Sequence, residues 1–319
     1  MSDEGRNLLS ARAELLGALK RRNYRFVTPT PLTHARVAAR KTKANDLRDV
    51  LGWSLPFERG AIDAEIAAAL GDADALETQG DLLKSTVRVS SLDDDLFLHS
   101  AYPTVQTDAV FFGPDSYRFA AFIRAELPRL GQRQRIADIG AGSGIGGIVA
   151  AKTVQERSGA GSILTTLVLN DINERACGFA LANAYAASIG GAVLSMDGDG
   201  LTGEMTYDLI VANPPYIVDD AHRTYRDGGA NHGSSVSFDW ASRAVDKLER
   251  NGVLLLYTGS AIVGGVDHFK IELERMLRAK AIEVEYRELD PDVFGEELER
   301  EEYADVERIA VVGVVATKR

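Results

Sequence analysis

The stretch Arg135–Ala151, RIADIGAGSGIGGIVAA, decides the fold. Ile136, Ala137 and Ile139 form an apolar run that passes straight into Gly140-Ala141-Gly142-Ser143-Gly144, and small apolar residues follow. That order reads as a strand, a glycine turn and the start of a helix. Glycine lets the backbone turn sharply and approach a ligand, while the first turn of a helix offers free N–H groups. Such a turn at the carboxyl end of a strand is where open α/β sheets bind nucleotides. The spacing Gly142-x-Gly144-x-x-Gly147 also fits a dinucleotide fingerprint, so the glycines alone leave two readings open. Asp138 sits inside the strand among apolar neighbours, where a carboxylate requires a partner or a ligand.

Downstream, apolar runs predict strands at 135–139, 164–169, 192–195, 207–212, 252–258, 281–288 and 308–317, with helices between most of them. Strands and helices alternating on this scale predict a doubly wound, mostly parallel α/β sheet. The second strand ends in Asn170-Asp171, an acid placed to accept both hydroxyls of a ribose and equally able to cap the next helix. Asp197-Gly198 follows the third strand, either as a turn or within reach of an adenine amino group. After the fourth strand comes Asn213-Pro214-Pro215-Tyr216. Successive prolines fix the backbone and remove two N–H donors, which leaves carbonyl oxygens free to accept. Asn213 adds another acceptor and Tyr216 an aromatic face, a set suited to holding a planar –NH2 group by its hydrogens. Acceptors on those N–H bonds draw the nitrogen toward tetrahedral geometry as it attacks. The segment Asp219–Ser237 is polar and lacks periodicity, which predicts a long loop.

Upstream, Leu8, Leu9, Leu15, Leu16 and Leu19 recur at helical spacing. Further helices are predicted after Thr33 as cap, over Asp46–Leu51, and over Ile62–Leu70 with Gly71 as the stop. From Leu83 to Val89 the period changes to two, Asp93-Asp94-Asp95 marks a turn, and Leu96–His99 returns. Helices followed by a hairpin predict a winged-helix-like α+β module over residues 1–103, with the larger domain over 104–319. Residues 1–60 hold 12 Lys/Arg and 6 Asp/Glu within a chain of net charge −11. A basic head on an acidic body is suited to orienting a polyanion, and equally describes solvated helix faces.

No apolar stretch approaches the ~18 residues of a membrane span, and no secretory signal is evident. Cys177 is the only cysteine, and the five histidines lack ligand spacing, so no metal is expected and a reducing cytoplasm is the predicted location. The sequence points to no particular oligomeric state.

Asp138-Ile139-Gly140-Ala141-Gly142-Ser143-Gly144 resembles the first motif of class I S-adenosylmethionine-dependent methyltransferases. Asn213-Pro214-Pro215-Tyr216 is similar to the catalytic motif of amino-group methyltransferases, among them the adenine-N6 enzymes and the release-factor glutamine-N5 enzymes. The likeness covers roughly residues 104–319. It implies a Rossmann-like sheet of seven strands, the last antiparallel, with S-adenosyl-L-methionine as cofactor. It also implies that Asp138, Gly140, Gly142 and Gly144 line the methionine portion, Asp171 the ribose and Asp197 the adenine, with Ile172, Gly198 and Asn213 among the cofactor-binding residues. Asn213, Pro214, Pro215 and Tyr216 would then be catalytic. Arg226-Asp227-Gly228-Gly229 resembles the Asp-Gly-Gly element of the small-domain enzymes, whereas Phe111–Ser116 lacks the Arg-Pro-Glu-Thr-Glu form of the glutamine enzymes.

The expected activity is methylation of a planar amino group on a macromolecule, either a glutamine of a translation protein or an adenine or guanine of RNA. A small-molecule N-methyltransferase is the second enzymatic reading. A winged-helix, nucleic-acid-binding regulator with an inactive body is the reading from another class. An oxidoreductase built on the glycine turn leaves Asn213–Tyr216 without a role.

Overall fold

The computed structural model describes residues 2–158, 166–219, 223 and 225–319. His222 and the first two residues of the strand predicted at 164–169 lie outside these. Four helices open the chain: α1 (Asp3–Arg21), α2 (Pro31–Ala38), α3 (Leu47–Leu51) and α4 (Ala64–Asp72). The cap of α2 is Thr30 rather than Thr33, and its hydroxyl accepts from the Thr33 N–H. Pro31 at the first helical position explains the earlier start, since its fixed φ suits the first turn and its missing N–H is not needed there. Helix α4 likewise runs through Gly71 and stops at Ala73.

Two hairpins follow where one was expected. Strands β1 (Leu76–Gln79) and β2 (Leu82–Ser85) pair with each other, as do β3 (Val87–Leu92) and β4 (Asp95–Ser100). The alternating run from Leu83 to Val89 is interrupted at Thr86, because the Ser85 hydroxyl turns back onto the Val87 backbone.

The rest of the chain alternates α5 (Pro114–Glu126), β5 (Arg135–Ile139), α6 (Ile145–Ser158), β6 (Thr166–Asp171), α7 (Glu174–Ala186), β7 (Ala192–Asp197), β8 (Tyr207–Ala212), α8 (Ser235–Ala244), β9 (Leu248–Val263), β10 (Val266–Asp267), α9 (His268–Ala279), β11 (Ile282–Asp290) and β12 (Arg308–Lys318). The sheet order is β7-β6-β5-β8-β9-β12-β11, with short β10 paired to the end of β9. Neighbours from β7 to β9 are parallel, and β12 inserts antiparallel between β9 and β11. This is the expected seven-stranded sheet with its last strand reversed. The central strands are buried on both faces, which is why they read as unbroken apolar runs. Ile136, Leu169 and Val211 face one core with α5 and α6, whereas Ala137, Val168 and Ile210 face another with α8 and α9.

A third core joins the N-terminal helices and hairpins, and it takes in Ala176 and Phe179 from α7. In return Phe97 of β4 packs into the sheet core. Asn183 of α7 binds the Leu98 N–H and C=O on one side and the Ser143 carbonyl of the glycine turn on the other. The N-terminal segment is therefore continuous with the sheet layer, and residues 104–319 alone would present Phe112 and Phe179 to water. Each exposed aromatic would forfeit roughly 1.5–3 kcal/mol.

Inside this third core lies a buried arginine with no carboxylate partner among the described residues. Arg88 is buried, donates to the Ser100 carbonyl, and approaches His34 Nδ1 at 3.4 Å. His34 Nε2 is 3.0 Å from the Trp53 carbonyl, so the ring is the neutral Nε2–H tautomer and Nδ1 accepts. Burial and the nearby guanidinium lower the His34 pKa to about 4. A histidine depressed in the fold costs stability as pH falls below its unfolded value near 6.5, down to about 4. Replacing His34 with Gln is expected to flatten the acid limb of the stability profile by about 1.4 kcal/mol per pH unit over that window. Urea titrations of both proteins across the window check this; parallel profiles would contradict it.

Candidate active site

The glycine turn follows from the backbone it must adopt. Gly140, Gly142 and Gly144 all have positive φ, at 68°, 54° and 78°. A Cβ on Gly140 would lie 2.4 Å from the Trp240 ring, whereas one on Gly142 would project into open space. Gly144 faces away from that space, and its Cβ would sit 3.0 Å from Ala180 Cβ, so it lets α7 approach the turn. Asp171 Oδ2 accepts from the Gly142 N–H at 2.8 Å and Oδ1 from the Asn173 N–H at 2.9 Å. One carboxylate thus shapes both the turn and the start of α7. Burial raises its pKa against the pull of those N–H donors. Asp138 is buried behind the turn and accepts from the Gly147 N–H at 2.7 Å. Burial pushes its carboxyl up to about 7.

These residues wall a cavity of about 480 Å³ at the carboxyl edge of the sheet, within the ~300–1,000 Å³ typical of small-molecule sites. Asp138, Gly140, Gly142, Asp171, Ile172, Gly198 and Asn213 line it. Asp197 and Gly144 do not. Strand β7 runs two residues past its expected end, so Asp197 finishes the strand, exposed, and Asp199 lines the cavity instead. The loop carrying Asp199 is shaped by Asn170, which donates to the Met196 and Gly198 carbonyls and accepts from the Gly200 N–H.

A second cavity of about 230 Å³ adjoins the first, and Asn213, Pro215, Phe111 and Tyr225 line both. Pro214 and Tyr216 line the second alone. Asn213 therefore stands at the junction. Its Oδ1 is buried and has no hydrogen-bond partner among the described residues. Leaving a buried amide oxygen without a partner costs about 1–3 kcal/mol, so the site favours a ligand that donates to it. Tyr216 is fixed rather than free. Its hydroxyl donates to Asp115, and its ring lies against Gly259, where a Cβ would come within 2.3 Å. Tyr257 donates to the other Asp115 oxygen at 3.1 Å, and burial raises the Asp115 pKa.

The loop after Tyr216 returns onto the motif. Ile217 and Asp227 form an isolated bridge, and the Gly228 N–H donates to the Ile217 carbonyl at 2.8 Å. A Cβ at Gly228 would lie 2.7 Å from Tyr216 Cα, and one at Gly233 2.4 Å from the Tyr216 carbonyl oxygen. The glycines of this loop permit backbone to lie on backbone, which holds the motif in place.

Sequence reasoning missed several lining residues. Trp240 covers Gly140 and lines the first cavity, a place that no local pattern marks. Phe111, Asp115 and Tyr225 acquire their positions from distant partners. The described residues contain no cluster of potential metal ligands, and none of their helices is long and apolar enough to cross a membrane.

Residues 106–257 match the family described as methyltransferase small domain. No curated protein sequence matches the chain. Among solved structures it is similar to Trm5b from Pyrococcus abyssi at 15% identity and a TM-score of 0.48, covering 80% of this chain and 68% of that one. It is similar to the M. jannaschii tRNA m1G37 methyltransferase at 13% identity and a TM-score of 0.47, covering 74% of this chain and 60% of that one. It is also similar to a ribosomal protein L11 methylase from Lactobacillus delbrueckii subsp. bulgaricus at 15% and 0.42, covering 69% and 91%. The chain thus spans about two thirds or less of the first two, and likeness at this level says nothing about its own substrate.

Proposed function

We propose that this chain, a methyltransferase of the small-domain family over residues 106–257 with S-adenosylmethionine as donor, methylates a planar amino nitrogen carried by a macromolecule. The carrying observation is the buried, unpartnered Oδ1 of Asn213 at the junction of the two cavities. When bound, S-adenosylmethionine supplies an electrophilic methyl group on a sulfonium. Gly140, Gly142, Asp171 and Ile172 are the residues that would hold it, in a cavity of suitable volume.

The remaining chemistry belongs to the chain. Asn213 Oδ1 accepts an N–H of the acceptor's amino group and so restores its own lost hydrogen bond. A planar amino nitrogen is a poor nucleophile because its lone pair is delocalised. An acceptor on its N–H favours the tetrahedral, charge-bearing form, and a preorganised one does so without reorganisation during reaction. Pro214 and Pro215 lack N–H groups, so the motif presents acceptors here and no competing backbone donors. Tyr216, anchored by Asp115, supplies a rigid wall. Holding both reactants at one junction lowers the barrier further through orientation.

A glutamine side chain of a protein and an exocyclic amine of an RNA base both offer such a group. Residues 1–103 serve recognition in this reading, and 104–319 transfer. Incubating the protein with methyl-labelled S-adenosylmethionine and a cell extract should label a macromolecular fraction. Ribonuclease or protease treatment then identifies the acceptor. Label appearing only in small molecules would contradict the macromolecular reading.

A further inference from the structure

The second cavity is closed on one side by the N-terminal segment, since Thr30 and Pro31 form part of its wall. Helix α2 begins at that lip, and of its eight residues only His34 is buried. Ala38 packs partly against the third core, whereas Leu32, Thr33, Ala35 and Arg36 are exposed. Leu32 is 60% exposed and Val27, just before the helix, 66%. Between Arg25 and Arg48 lie six cations and one acid, in a chain whose net charge is −11. Lys41 and Lys43 pair with Asp49 and Glu58, whereas Arg36 and Arg40 have no acidic partner among the described residues. Asp292 and Glu296 also line the cavity, as do Arg118 and Arg226, and both arginines are already paired with carboxylates. A polyanion passing this opening is attracted over the unpaired Arg36 and Arg40.

The interior of the cavity suits one base and no more. Its volume lies below the ~300 Å³ of common small-molecule sites. The rings of Phe111 and Tyr225 at the junction are parallel to within 3°, with centroids 5.9 Å apart, and both residues line both cavities. Aromatic platforms of this kind stack bases, and unpaired bases are what single-stranded RNA displays. A base within a duplex would first have to be extruded, at a cost of a few kcal/mol.

We propose that the outward face of α2 with its flanks, carrying Val27, Leu32, Arg36 and Arg40, is the docking surface for a single-stranded RNA. Its sugar–phosphate backbone lies on α2, while one unstacked base passes the Thr30–Pro31 lip, stacks beside Phe111 and Tyr225, and presents its exocyclic amine to Asn213. This rests on the amino-group reading above and selects RNA as the acceptor class.

The test pairs binding with transfer. A short unstructured RNA of mixed sequence is titrated against wild type, the Arg36→Glu/Arg40→Glu double variant and the Arg36→Lys/Arg40→Lys variant at several salt concentrations. Charge reversal is expected to weaken RNA binding at least tenfold and to reduce the salt slope by about 1.4, from two lost phosphate contacts at ~0.7 each. The lysine variant should keep the slope. S-adenosylhomocysteine affinity, measured by calorimetry, should be the same in all three, because both side chains lie outside the first cavity. RNA affinity and slope unchanged by charge reversal would overturn the surface. Labelled methyl found on protein and not on RNA would overturn the acceptor while leaving the amino-group reading intact. Wild type that binds S-adenosylhomocysteine but transfers methyl to neither fraction would remove both.

Discussion

Replacing Asn213 with alanine is expected to lower kcat by roughly 10²–10³, the loss seen when one preorganised transition-state hydrogen bond is removed. The Asn213 Oδ1 is already desolvated and unpartnered, so the cost of fixing it is met before the acceptor arrives. Its bond to the amino group strengthens as positive charge builds on nitrogen, and that is what makes the effect fall on turnover. A rival role exists, because Asn213 also lines the first cavity. The experiment is therefore paired on one preparation, with cofactor titration beside single-turnover transfer. A drop in transfer with cofactor affinity nearly unchanged fits the account. Equal losses would assign Asn213 to the cofactor pocket, and full activity would reduce the motif to a turn.

The second large effect is expected at Gly142. Its φ of 54° lies in the left-handed region, and a Cβ there would point into the cavity with nothing within 4 Å to stop it. Valine at this position carries roughly 1–2 kcal/mol of backbone strain and fills space that the ligand needs. It also strains the turn whose N–H is held by Asp171. Affinity for S-adenosylhomocysteine should fall about tenfold or more, each tenfold being ~1.4 kcal/mol. Calorimetry reads the affinity, and a thermal melt separates a lost pocket from a lost fold. Wild-type affinity in a folded Gly142→Val protein would mean that the ligand lies elsewhere.

How much of this was legible in the sequence follows from the range of the interactions. The glycine turn, Asp171 and Asn213–Tyr216 each sit at a strand end, and local patterning places a strand end to within a residue or two. That tolerance was enough for Gly142 and Asp171. It failed at Asp197, because β7 runs through it and leaves Asp199 on the cavity wall. Gly144 shows a different limit. Its place in a sharp glycine turn was expected, but only the approach of α7 shows that the missing Cβ makes room for Ala180. Residues positioned by distant partners left no local signal. Asp115 is fixed by Tyr216 and Tyr257, which lie 101 and 142 residues further on. Trp240 covers Gly140 from α8, and Tyr225 finds Phe111 across the cavity junction. The exchange of Phe97 and Phe179 between cores was likewise invisible, since each reads as an ordinary apolar residue of its own element.

The central claim concerns one atom, the nitrogen that Asn213 Oδ1 faces. The most direct measurement is the position of the transferred methyl group, by fragmentation mass spectrometry of the product formed from labelled S-adenosylmethionine. The account predicts the methyl on a planar amino nitrogen, and on the exocyclic amine of a base if α2 docks RNA. A methyl on a ring nitrogen, a carbon or an oxygen would contradict it, because those atoms bring no amino hydrogens for Asn213 to accept.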